Sequence, residues 1–237
     1  MIKKDDLFPD SQIIDKYETD VGNKIYVFDN GKKYKQYNKN YSSLRNIDNM
    51  EFLKTLQAQA KEKSSLITFP EQVVCTDNKL YGITSDFAYG TPLDEIFLGE
   101  DIGHLIESID KLEQEIIRIS NNGWYISNLT GDDIIINYLQ SPEETLKIVN
   151  TDFIEKREDV LKNISNNLRY LFNIFIYKML PNIRYLKLND NPEFREKFAL
   201  ASEGKMPCSE FITYLMNLLG LNLESYTSLN ALRHKVK

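Results

Sequence analysis

The stretch "GWYISNLTGDDIIIN", Gly123 to Asn137, frames a polar loop between an aromatic entry and an apolar run. Its most chemically capable members are Asn128 and Asp133. An amide has no usable basicity near neutral pH, so Asn128 cannot act as a general base. Asp133 offers a hard oxygen of the kind a magnesium ion takes. Further along, "LKIVNTDF" sets Asn150, Thr151 and Asp152 in a row. Other chemistries are thinly provided. With only His104 and His234 in the chain, a His-rich metal site is excluded, and any Ser-His or Cys-His pair would rest on one of them. His104 lies in a helical segment and His234 in a basic tail, and both read as surface residues. Cys75 and Cys208 are far apart with no CxxC spacing, which reads as two reduced, buried thiols.

Charge narrows the partners. Acids outnumber bases by 35 to 29, for a net charge of -6, which argues against charge-driven nucleic-acid binding. The most apolar stretch, "LRYLFNIFIYKML", is broken by Arg169, Asn173 and Lys178 and is too short to span a bilayer, so no membrane partner is expected. The opening "MIKKDDLFPD" puts acids where a signal peptide has its apolar run, and a cytoplasmic protein is the expectation. Abundant Asn, Ile, Lys and Tyr fit an AT-rich, low-GC bacterial genome. A chain of 237 residues suits one domain of two lobes or two small domains.

The elements that must position these residues follow from pattern. "SQIIDKYE" and "KIYVFDN" are β-branched and aromatic runs parted by the turn-forming "TDVGN". Asn30-Gly31 then predicts a type I′ hairpin into "KYKQYNK", so Ile13 to Tyr37 reads as a three-stranded meander. Ile47, Met50, Phe52, Leu53 and Leu56 recur at helical spacing, behind an Asn46 or Asp48 cap. "EQVVCTD" and "KLYGITSDF" are two more strands joined at Asp77-Asn78. After "YGTPL" comes a long helix carrying Leu105, Ile109, Leu112, Ile116 and Ile119, stopped by Gly123. "DDIIIN" and "TLKIVNTDF" form a hairpin about Ser141-Pro142. From about Glu158 to Leu221 the chain reads as helices, broken at Pro181 and Pro192. The tail "SYTSLNALRHKVK" is either a free arm or a last docking helix.

This order resembles the protein-kinase-like fold over nearly the whole chain. The resemblance implies an α+β, bilobal architecture: residues 1–86 as a five-stranded antiparallel lobe with one helix, and residues 87–237 as a short, mostly helical lobe. In that likeness "YKQY" is the lysine segment of the third strand, so Lys35 would contact the α/β-phosphates of ATP. "EFLKTL" would bring the helix acid that pairs with it, Glu51, although a stricter register puts Asn49 there. Lys32, Lys33, Lys35 and Lys39 also make the strand lysine-rich, the pattern of an exposed edge. "YGITSDFAYGTPL" resembles the hinge, with Ser85 as gatekeeper and the backbone of Asp86 and Ala88 toward an adenine edge.

The likeness breaks where the chemistry should be. The family's H-R-D-L-x-x-x-N loop falls on "ISNLTGDDI", placing Asn128 at the base position and Asp133 at the metal-binding amide. Laid without a gap, the second metal position falls on Asn150; a two-residue bulge would put Asp152 there instead. Between the first two strands only Gly22 remains of a glycine-rich phosphate loop. The resemblance therefore implies a pseudokinase with a protein partner, its cofactor either ATP with magnesium or none. Two alternatives stand beside it: an atypical phosphotransferase or nucleotidyltransferase using Asp133 and Asp152, and an interaction module that binds no nucleotide. In the last, "LRYLFNIFIYKMLPNIRYLK" would be the working surface, unless that run is a buried helix.

Overall fold

The computed structural model describes residues 7–41, 48–77, 79–95, 101–137, 145–180, 187–222 and 227–235. The chain divides into two compact units: residues up to Ala88 joined by Val149–Asp152, and Tyr89–Ile148 joined by the chain from Phe153.

In the first unit, β1 (Ile13–Glu18), β2 (Lys24–Phe28), β3 (Lys32–Gln36), β4 (Gln72–Thr76) and β5 (Lys79–Asp86) form one sheet in the order β1-β2-β3-β5-β4. Every neighbouring pair is antiparallel. The β2–β3 hairpin forms where Asn30-Gly31 predicts it, but not as a type I′ turn. Gly31 alone has positive φ, at 74°, and its N–H bonds Phe28 O at 3.1 Å. A turn followed by one left-handed glycine needs a single positive φ where type I′ needs two, and Asn30 is spared the strain. Between β1 and β2, Gly22 also has positive φ, and its N–H bonds Thr19 O at 2.7 Å.

Alternation gives the sheet two different faces. Tyr26, Phe28, Tyr34 and Val74 form a cluster on one, with Phe8 against Phe28. A second cluster joins Ile83 to Tyr37, Tyr41, Phe52 and Leu56, the last two from α1 (Asn49–Gln59). Asp48 caps that helix, its carboxylate accepting from Met50 N and Glu51 N. Met50, placed in the apolar stripe by its spacing, is 40% exposed. Its stripe partner Ile47, the other cap candidate Asn46, and Asn78 of the β4–β5 turn lie outside the described residues.

The second unit is built around α2 (Ile102–Asn121) and α3 (Val160–Met179), which pack together. The five in-register α2 residues from Leu105 to Ile119 are all fully buried. Burying each such side chain contributes about 1.5–3 kcal/mol, which is why this stripe organises the unit. The apolar run of α3 is core as well: Leu171, Phe172, Phe175, Ile176 and Met179 are fully buried. That part of the surface imagined for an interaction module is thus interior; residues 181–186 lie outside the described set. Pro192 opens α4 (Pro192–Ser202) instead of breaking a helix, with Asn191 as cap. Phe194 and Phe198 of α4 then meet Phe211 of α5 (Cys208–Leu218).

Two small sheets hold the Gly123–Asn137 loop. β7 (Trp124–Ile126) pairs with β10 (Ile154–Lys156). β8 (Ile134–Asn137) pairs with β9 (Thr145–Ile148) on one side and with β6 (Thr91–Pro92) on the other. The predicted hairpin residues Ser141-Pro142 lie outside the described set, as does Pro181. The tail ends in α6 (Leu229–Lys235), which docks: Leu229 and Leu232 are fully buried, and Arg233 donates to Met179 O at the end of α3.

Candidate functional site

In the first unit, chemistry concentrates on β3. The strand is central in its sheet, so its lysines are not edge residues. Lys33 and Lys35, two apart, share a face. Lys35 is paired across the sheet with Ile25 and Ile83, and Lys33 with Val27 and Ser85.

Lys35 ends on Asp152. Its ammonium lies 2.6 Å from Asp152 Oδ2 and donates to Asn150 Oδ1 at 3.2 Å. The Asp152 side chain is 1% exposed, which decides what it can do. Oδ1 accepts from the Tyr37 hydroxyl at 2.7 Å, and Oδ2 accepts from the Tyr41 hydroxyl. Burial alone would push this carboxyl up. The Lys35 charge, with hydrogen bonds from Lys35, Tyr41 and Tyr37, outweighs that and holds it below its ordinary value. The rings of Tyr37 and Tyr41 also lie 5.4 and 6.0 Å from the Lys35 nitrogen. Asn150, on which the ungapped register sets the metal position, holds the turn: its side-chain oxygen accepts from Asp152 N at 3.3 Å. Gln59 at the end of α1 fastens the same segment, donating to Thr151 O at 2.8 Å.

Glu51, expected to pair with Lys35, is exposed on α1, and so is Asn49. The lysine takes its carboxylate from the 149–152 segment. Glu51→Ala should therefore change stability by no more than ~0.5 kcal/mol, as at an ordinary exposed site. A loss of several times that in urea unfolding would restore Glu51 as the partner.

In sequence Lys33 is marked only as one of a lysine-rich run. Its ammonium donates to Val149 O at 3.0 Å. Part of the residue reaches the surface, but enclosure of the charged head, with Lys35 nearby, lowers its pKa to about 8. Of the hinge residues, Ser85 is buried, Ala88 half-buried and Asp86 exposed, with the Asp86 carboxylate 2.7 Å from the Lys32 ammonium. The Gly22 turn is closed by Asn38. A Cβ at Gly22 would stand 2.6 Å from Asn38 Nδ2, which itself donates to Val21 O.

In the second unit, Asn128 is exposed and Leu129 beside it is buried. The loop is anchored by backbone: Ser127 N bonds Phe153 O at 2.8 Å, and the Tyr170 hydroxyl donates to Ser127 O at 2.6 Å. Asp133 turns back on its own loop, Oδ2 accepting from Thr130 N at 2.9 Å and Thr130 Oγ1 at 2.8 Å. This reciprocal cap explains the Thr-x-x-Asp spacing without a metal. Two α3 residues that pattern reading missed hold β7. Asn167, fully buried, accepts from Ile126 N and donates to Trp124 O and Ser120 Oγ; Asn166 donates to Ile126 O. Glu113 of α2 similarly receives Ser209 N and its hydroxyl at the start of α5, with burial pushing its carboxyl up.

His104 and His234 are both exposed. Cys208 is buried, and burial pushes its thiol well up; Cys75 is half-buried. Among the described residues no group of three or more His, Cys, Asp or Glu could hold a metal ion, and no helix is long and apolar enough to cross a membrane. Asp152, enclosed by three side-chain donors, does not fit a magnesium centre, and Asp133 spends its Oδ2 on its own turn.

A five-stranded antiparallel sheet with one helix, followed by a long helix, a loop, short hairpins and a helical remainder, is a protein-kinase-like fold of the α+β class. Among solved structures the chain is similar to "Crystal structure of Rad53 kinase domain and SCD2". The TM-score is 0.59 at 15% identity, covering 97% of this chain and 98% of that one. No protein-family model matches the chain, and no curated protein does.

Proposed function

We propose that the chain is a pseudokinase: a kinase-like protein that does not transfer phosphate and acts as an interaction or regulatory module for a protein partner. The observation that carries this reading is the state of Asp152. A metal-binding acid needs oxygens free to coordinate. This one is 1% exposed, ion-paired to Lys35 and hydrogen-bonded by two tyrosines. The pair that would handle phosphate and metal in the family is used here to hold the 149–152 segment to its own sheet.

Supporting residues point the same way. Asn128 at the base position has no basicity, and Asp133 caps its own turn. The Gly22 turn is filled by Asn38 where a phosphate loop would present open backbone. Lys33 reaches Val149 O from the sheet face it shares with its register partner Ser85, the residue at the gatekeeper position. A purine seated there would have to displace a lysine.

Thermal unfolding with ATP, ADP or GTP, with and without Mg²⁺ or Mn²⁺, tests the proposal together with a phosphotransfer assay. A ligand at a hundred times its Kd stabilises by about 2.7 kcal/mol, a shift of roughly 5–10 °C for a chain of this size. The expected result is no metal-dependent shift and no transfer. A metal-dependent shift with measurable turnover would favour the atypical phosphotransferase using Asp133 and Asp152.

A further inference from the structure

The enclosed charges on β3 do not balance. Two ammonium groups, Lys33 and Lys35, share one carboxylate, and Asp152 is committed to Lys35. Lys33 is left with a single hydrogen bond, to a backbone carbonyl, which supplies no charge. Opposite it in register stands Ser85, 1% exposed, whose hydroxyl has only a long 3.3 Å contact to the carbonyl of the next residue. Directly opposed residues point to the same face of a sheet, with Cβ atoms about 5 Å apart. A lysine with no carboxylate of its own and a residue with a weakly used hydroxyl are thus paired in register on one face of the sheet.

We propose that Lys33 and Ser85 form a binding site for a small dianionic oxyanion, a phosphate or sulfate group, held by the Lys33 ammonium and the Ser85 hydroxyl. An oxyanion supplies the missing charge and accepts from both donors, and such charge-assisted bonds are about twice as strong as neutral ones. The other charges facing Lys33 set the pH behaviour. They are Lys35 on β3, Asp152 from the 149–152 segment and Asp86 at the end of β5. Without an anion, the Lys33 amine loses its proton near pH 8. A bound anion keeps it protonated, so binding weakens as pH rises past that point. The site lies on the same sheet face as the pseudokinase reading. Its test therefore uses neither nucleotide nor divalent metal, and its result is independent of the phosphotransfer assay.

The experiment is thermal unfolding of the full chain titrated with sodium sulfate against sodium chloride at matched ionic strength, from pH 7 to pH 10. Sulfate does not titrate in this range, so the pH profile reports the protein. Excluded-solute effects of sulfate act on any protein, so the readout is the difference between wild type and Lys33→Met. Wild type should show a saturable rise of ~3–6 °C at ten times Kd. That rise should be absent in Lys33→Met, reduced in Ser85→Ala, and lost by pH 10. Repeating the titration with inorganic phosphate and with glycerol 3-phosphate at pH 7 separates sources, since tighter binding of the ester assigns the site to a phosphorylated compound. An equal rise in Lys33→Met, a rise undiminished at pH 10, or no saturable rise in wild type would overturn the proposal.

Discussion

Asp152→Ala should lower the unfolding free energy by ~3–5 kcal/mol, the usual cost of removing one partner from a buried ion pair. The substitution strands Lys35 beside Lys33 and leaves the hydroxyls of Tyr37 and Tyr41 without the oxygens they bond. It also releases the strongest tie between the 149–152 segment and the sheet. A metal ligand in an active site behaves otherwise: its loss abolishes turnover and commonly leaves stability intact or raised. Urea unfolding distinguishes the two, and a change below about 1 kcal/mol would deny Asp152 its structural role. The paired variant Lys35→Met/Asp152→Leu should be less damaged than the sum of its single changes, because neither charge is then stranded. Acid provides a second check. The carboxyl of Asp152 is held below its ordinary value in the folded chain, so its contribution is complete at neutral pH and is lost as pH falls through the folded value. Asp152→Ala should accordingly be less sensitive to acid than wild type.

That central pair was only half legible in the sequence. The strand pattern and the Asn30-Gly31 turn place β3, both local signals, and the resemblance of "YKQY" to the kinase-like lysine segment picks Lys35 from the lysine-rich run. Its partner lies 117 residues away, and nothing near Asp152 in the chain marks it as facing a lysine. Helical spacing located α1 and left Asn46 and Asp48 as cap candidates, of which Asp48 caps the helix. It could not say which acid on the helix turns inward, and Glu51 turns out. Tyr37 and Tyr41 left no signal at all: a tyrosine followed four residues later by another reads as core, and these two are core in their rings and ligands in their hydroxyls. Asp133 shows the opposite failure. Its spacing from Thr130 is a local cap signature, whereas the resemblance implies a metal role for it. Long-range polar pairing and the choice between cap and ligand are decided by tertiary structure, which residue pattern encodes weakly.

Lys33→Met should stabilise the protein, an unusual outcome for removing a charged residue. Lys33 has its pKa lowered from 10.5 to about 8 in the folded chain, chiefly by enclosure of the ammonium and next by the Lys35 charge. The sign follows from linkage. Between about pH 8 and 10.5 the unfolded chain binds the proton more readily, so stability rises with pH across that window. Below pH 8 the folded chain bears the full cost of the enclosed charge, ~3 kcal/mol for a shift of this size. Methionine keeps the length and packing of the stem without the charge. It gives up the bond to Val149 O, worth about 1 kcal/mol, so the net gain at pH 7 should be ~2 kcal/mol. The variant must also flatten the alkaline limb. The variant's advantage of ~2 kcal/mol should fall from about pH 8, vanish at about pH 10 and reverse by up to about 1 kcal/mol above it; taking the difference cancels the background of other lysines and tyrosines. Urea unfolding at half-unit intervals across that range measures it. A variant less stable than wild type at pH 7, or a difference that does not vary with pH, would mean that Lys33 is solvated and its charge costs nothing. Should the gain appear, the sheet carries a lysine whose charge costs stability at neutral pH.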